Sequence, residues 1–162
     1  MAKGHLPSDT ISRINQSGAS LIHCGWADQR GILQHPSTGW FLTHAGWNSI
    51  SESLAQGVPL ICWPMSHSDQ FMNAALLSTR DEPIAFELLQ TRMGEARGPP
   101  RRGGGEIKGE IGEVEREMED VLSKARGTEG AKLRKHAESI AIKLRDERDG
   151  RADWAIRELA AV

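Results

Sequence analysis

Cysteine is scarce in this chain of 162 residues, which has only Cys24 and Cys62. The two lie far apart, so they do not form the closely spaced pairs of a zinc or redox motif. Each falls in a short apolar run with strand character. They read as buried free thiols, in keeping with the cytosol. Long apolar runs are also missing: nothing approaches the roughly 20 residues that span a bilayer, and the first ten residues carry no signal-peptide pattern. Charge of one sign is missing too. A formal net charge of -2 gives no electrostatic case for nucleic acid or an anionic membrane as partner. What remains has the composition of a polar-leaning globular domain, long enough for one real core.

The informative stretch is residues 26–70. The apolar run Leu21-Ile22-His23-Cys24 leads into it, ending at Gly25-Trp26. A second run, Trp40-Phe41-Leu42-Thr43, ends in His44-Ala45-Gly46. A third, from Val58 to Trp63, leads to a polar tip with Asp69-Gln70. Strand, loop and helix signals alternate through it. That is the pattern of an α/β domain, whose ligand groups gather at the carboxyl ends of parallel strands. After His44-Ala45-Gly46 a helix is expected from Asn48 or Ser49, with Ser49-Ile50-Ser51-Glu52 fitting a capping box. Trp47, Ile50 and Leu54 share one helical face. Gly57 fits the helix stop and Pro59 follows it. A strand that turns through glycine into a helix start exposes unpaired N–H groups at the positive end of a dipole, which suits phosphate.

Fixed residues at fixed spacings fill this stretch: Trp26, Gln29, Leu33, His35, Gly39, Phe41, His44, Gly46-Trp47-Asn48-Ser49, Glu52, Gly57-Val58-Pro59, Trp63-Pro64 and Asp69-Gln70. The set resembles the signature box of plant-type family 1 UDP-glycosyltransferases, which move a sugar from a UDP-sugar to a small acceptor. It departs from the box at Asp28, where proline is usual, at Trp40 for a glycine and at Ala45 for a cysteine. Met65-Ser66-His67-Ser68 is one residue longer than the pattern.

The resemblance implies a role for each matching residue. Trp26 would stack on uracil, with Ala27 and Gln29 beside the base and ribose. Glu52 would accept the ribose hydroxyls. His44, Gly46, Asn48 and Ser49 would hold the diphosphate. Trp47, Asp69 and Gln70 would face the sugar, loosely indicating glucose as donor. From the residues alone, other readings stand beside these. Trp26 fits a core side chain closing a strand end, and Glu52 fits the third helical position of a cap. His44, Asn48 and Ser49 fit a turn histidine with two capping residues. Asp69 fits a helix N-cap, and His35 fits a hydrogen-bonded loop residue.

The resemblance also implies a fold. The family pairs two Rossmann-like domains in the GT-B arrangement, and this chain matches the C-terminal, donor-binding one. The expectation is a single, truncated UDP-sugar-binding domain over residues 1–162. It should have a parallel sheet with flanking helices, a flexible loop over 91–105 and a helical tail over 106–162. The spacing of Leu6-Pro7, Ile11 and Ile14 ahead of Trp26 matches the segment before the box, so His5 is not the family's catalytic histidine. No catalytic residue, metal or cofactor is expected. The implied partners are the UDP-sugar, an acceptor, and a separate chain carrying the acceptor domain.

Elsewhere the signals are plainer. Residues 11–16 suit a short helix, and a helix should follow Gln70 to about Ser78. Residues 83–88 read as a strand. Arg97, Arg101 and Arg102 read as part of a solvated loop. Ile107, Ile111, Val114, Met118, Val121 and Leu122 recur at helical spacing, and that helix should end near Gly127. Leu133, Ala137, Ile140 and Leu144 mark a second tail helix, and residues 152–161, with Trp154 and Leu159, a third.

Overall fold

The computed structural model describes residues 7–23, 25–65, 68–92 and 106–160, with residues 68 and 149–160 by their backbone alone. Strands β1 (Phe41–Thr43), β2 (Leu60–Cys62) and β3 (Ala85–Glu87) form one parallel sheet in the order β1-β2-β3. Phe41 pairs with Leu60, and Leu60 with Ala85. Helix α3 (Trp47–Gln56) links β1 to β2, and α4 (Ser68–Thr79) links β2 to β3. This is the βαβαβ unit that the alternating signals predict.

The sheet is covered on both faces. β2 is buried at every residue, as a central parallel strand requires. Its side chains alternate between two cores. Leu60 and Cys62 pack with Ile50 of α3, Ala74 and Leu77 of α4 and Ala137 of α6 (Thr128–Ala160). Ile61 packs on the other face with Leu88 and with Val121 of α5 (Ile111–Arg126). Trp40, which departs from the signature pattern, belongs to this second core and stacks on Phe86 with ring centroids 5.4 Å apart. On the side of β1 that faces β2, Phe41 N–H bonds the Pro59 carbonyl and the Thr43 carbonyl accepts from Trp63 N–H. The backbone groups of Leu42 therefore face away from β2, toward the open side of the sheet.

Several expectations are corrected. The run Leu21-Ile22-His23 forms no strand, and Leu21 is almost wholly exposed. An apolar run becomes a strand only when a neighbour pairs with it, and none does among the described residues. Cys24 itself lies outside the described residues. Helix α3 starts earlier than expected, at Trp47 with Gly46 as N-cap, and no side chain caps it. Ser49 and Glu52 are thus too far into the helix to form the capping box. Trp47 is mostly exposed, so the shared face buries Ile50 but not Trp47.

In the tail, Ile107 is buried at a lone bridge ahead of α5, not inside it, and Ile111 is exposed. Helix α5 does stop at Gly127. The two helices expected after it are one, α6, which runs through Gly150 for 33 residues. A glycine inside a helix costs about 1 kcal/mol, and an unbroken hydrogen-bond ladder offsets it here. Residues 93–105, with the three loop arginines, lie outside the described residues, as do His5 and His67. So does the side chain of Trp154.

Helices α5 and α6 also attach through polar contacts. The Glu117 carboxylate of α5 accepts the Leu89 and Gln90 N–H groups, each at 2.8 Å. Burial nevertheless pushes its pKa up, against the pull of those two bonds. The Arg134 guanidinium of α6 donates to the Gly39 carbonyl at 2.6 Å. Helix α1 (Ser8–Ser17) buries no residue, and α2 (Gln29–Gln34) buries Leu33.

Candidate functional site

The turn from β1 into α3 is held tightly. Ala45 sits at φ 66 with no exposure. That left-handed backbone costs a non-glycine residue about 1 kcal/mol. The surroundings enforce it: Ala45 N–H donates to Thr43 Oγ1 at 3.4 Å, and the Asn73 amide of α4 donates to the Ala45 carbonyl at 3.1 Å. The His44 imidazole then folds over Gly46, where any β-carbon would run into its Nε2. A side chain at position 46 would displace the exposed imidazole from this place.

Because no side chain caps α3, its first N–H groups have no acceptor among the described residues. They open beside a groove of about 550 Å³. One wall is α3, through Asn48, Ser49 and Glu52. The other is residues 25–30. Trp26 is 96% exposed. That excludes the core-tryptophan reading and leaves a free aromatic face on the groove. Gln29 Nε2 donates to Glu52 Oε2 at 2.7 Å across it, so the two walls are tied by one hydrogen bond. The position of Glu52 within α3 also removes its reading as a cap. Asp28 caps α2 by accepting Gly31 N–H at 3.0 Å.

The structure therefore gathers Trp26, Ala27, Gln29, Asn48, Ser49 and Glu52 into one groove, with His44 and Gly46 in the turn that opens α3. It does not gather the other three. Trp47 lines a separate apolar groove of about 1050 Å³ between α3, α4 and α6, with Leu54, Leu76 and Leu144. Asp69 is exposed in the first turn of α4. Gln70 is buried, and its Oε1 accepts Met65 N–H at 2.9 Å, so that amide braces the loop. His35 is a loop residue whose Nδ1 accepts Ser37 N–H at 3.2 Å, in line with its structural reading. Three groove residues escaped the sequence reading as contributors: Gly25, Asp28 and Arg30. The departure from proline at Asp28 was the one available signal.

Chemically, the groove offers a flat aromatic face, a carboxylate able to accept a pair of hydroxyls, and a helix start able to accept an anion. A nucleoside diphosphate presents those three features in that order.

The comparisons agree with this chemistry. Residues 11–94 match the model of the family described as UDP-glucoronosyl and UDP-glucosyl transferase. The hydroquinone glucosyltransferase of Rauvolfia serpentina is 38% identical over 98% of the chain. UDP-glycosyltransferase 72B1 of Arabidopsis thaliana is 60% identical over 45% of it. Among solved structures, the UDP-glucosyltransferase of Polygonum tinctorium that glucosylates indoxyl superposes with a TM-score of 0.61, at 31% identity over 84% of the chain. UGT2 of Phytolacca americana, solved with UDP-2fluoro-glucose and pterostilbene, gives 0.58 at 34% identity over 83%. The chain spans 30% of the Rauvolfia protein, 15% of the Arabidopsis protein, and 26% and 27% of the two solved chains.

Proposed function

The chain belongs to the UDP-glucoronosyl and UDP-glucosyl transferase family, and from that premise we propose that it supplies the donor side of glycosyl transfer by binding a UDP-sugar in the groove between Trp26 and Glu52. The observation that carries this reading is the exposed Trp26 ring set across from Glu52, beside an uncapped helix start. Uracil stacks on Trp26, with Ala27 and Gln29 at its edge. The ribose hydroxyls donate to Glu52. The diphosphate lies at the start of α3, held by Asn48, Ser49, the Gly46 turn and a donor hydrogen from His44. The sugar, glucose in this reading, extends toward Trp47, Asp69 and Gln70. These three converge only through the ligand.

In the complete reaction a base takes the proton of the acceptor hydroxyl, and the acceptor oxygen attacks the anomeric carbon. The bond from that carbon to the β-phosphate oxygen breaks, and UDP departs with its new negative charge on the α3 N-terminus and His44. The reaction is inverting and needs no metal. This reading assigns the chain no base, so transfer needs an acceptor domain from elsewhere. The open side of β1 at Leu42 favours a second reading: a non-catalytic nucleotide-sugar module that completes a site with another cytosolic chain.

Calorimetric titration with UDP tests the site. Trp26→Ala should weaken binding about tenfold or more, since a stacked base contributes roughly 1–3 kcal/mol. Glu52→Ala should weaken it by a similar factor through loss of charge-assisted hydrogen bonds. Trp26 is too exposed to hold the fold, so its variant should melt like the wild type. A wild-type chain that melts cooperatively and binds no UDP would overturn the donor-site reading.

A further inference from the structure

We propose that Arg30 is a donor-binding residue that makes this groove selective for a diphosphate over a neutral nucleoside, by offsetting the groove's own carboxylates. The proposal rests on the donor-site reading and adds a residue to it. Asp28 and Glu52 both line the groove, and each is committed to a neutral partner. Asp28 Oδ1 takes a backbone N–H of α2, and Glu52 Oε2 takes the Gln29 amide. Neither is paired with a cation among the described residues. Arg30 lies in the same wall as Asp28, exposed, and it makes no hydrogen bond or ion pair among the described residues. The two carboxylates and one guanidinium leave the groove one charge negative overall; without Arg30 it would be two charges negative.

Both carboxylates have reasons to be there, one for the helix cap and one for a diol. A diphosphate carrying at least two negative charges must therefore enter against them. The α3 N-terminus supplies a partial positive charge of about half a unit, less than either carboxylate. A guanidinium on a flexible stem, held by no other group among the described residues, is the mobile counter-charge such a groove needs. It attracts a diphosphate and does nothing comparable for an uncharged nucleoside.

Opposite charge changes in two exposed residues test this without disturbing the core. Arg30→Gln should weaken UDP about three- to tenfold, as expected for losing one charge contact, and leave uridine within about twofold. Asp28→Asn keeps an N-cap side chain and removes a negative charge, so it should tighten UDP about two- to threefold. Both effects should shrink from about 0.01 M to about 0.15 M salt, where the screening length falls from about 30 Å to about 8 Å. Damage to the site would weaken both variants alike. UDP binding to the wild type with Asp28→Asn weaker, or with Arg30→Gln losing uridine and UDP equally, overturns the role of Arg30 and leaves the donor site standing. No UDP binding by a folded wild type removes both.

Discussion

Cys62 shows how far one residue can be removed from chemistry by its place in the fold. It is fully buried at the carboxyl end of β2, and its thiol is pushed up to about 12, first by burial and then by the charge of Glu87. The ordinary value is 9.0, so the folded state holds this proton more firmly than the unfolded chain does. The resulting contribution to stability is complete below pH 9 and is lost as pH rises toward 12. Iodoacetamide at pH 8 should therefore leave Cys62 unmodified in the native chain and alkylate it in urea, read by mass spectrometry of its peptide. Rapid native labelling would contradict its burial. Arg30 makes the complementary point about legibility. Its apolar and glycine neighbours follow patterns that can be read from the sequence, but an isolated exposed charge follows none. Only the groove wall gives it a meaning.

Elements were legible where local chemistry marks both ends. Helix α3 is one: Gly57 at φ 73 closes it as the glycine and proline signals predict. A β-carbon on Gly57 would also lie 3.2 Å from the backbone of Glu138 in α6. Gly57→Ala should thus cost ~2 kcal/mol, from the left-handed backbone and the crowding together. A shift in the urea midpoint measures it, and a loss below about 0.5 kcal/mol would mean that α3 and α6 do not meet there. Elements were illegible where a distant partner decides. The run at Leu21 has strand composition but no neighbour to pair with. Ile107 keeps the helical spacing of the residues after it, yet its burial comes from a bridge and not from α5. The false capping box has a simpler cause: Gly46, with Ala45 held at positive φ, begins α3 before Ser49 is reached. Of the groove, the sequence pattern indicated Trp26, Ala27, Gln29, Asn48, Ser49 and Glu52 and passed over Gly25, Asp28 and Arg30. It could not indicate that Gln70 is turned to its own loop, because Met65 N–H is a backbone donor that no pattern reveals.

At the scale of the whole molecule, the two cores cover both faces of the sheet, and among the described residues β1 and β3 are its edge strands. Helix α6, about 50 Å long at 1.5 Å per residue, packs through Leu133, Ala137 and Ala141, while residues 142–148 are exposed. No helix among the described residues is long and apolar enough to cross a membrane. On the donor-site reading proposed above, which assigns this chain no base, the isolated chain should release no UDP above background from UDP-glucose and a phenolic acceptor. A coupled assay for UDP checks this. Sustained turnover would show that an acceptor site and a base lie within these residues.

The hydrogen bond between Gln29 and Glu52 carries one more consequence. Its bond to the Gln29 amide already restrains the Glu52 side chain, so part of the conformational entropy that binding would cost it is lost in the fold itself. On the donor-site reading proposed above, an incoming ribose would not order a loose side chain; it would compete with an amide for an acceptor already aimed. Affinity at this point is then the difference between two hydrogen bonds of similar kind, and what favours the sugar is that it brings two hydroxyls where Gln29 brings a single N–H.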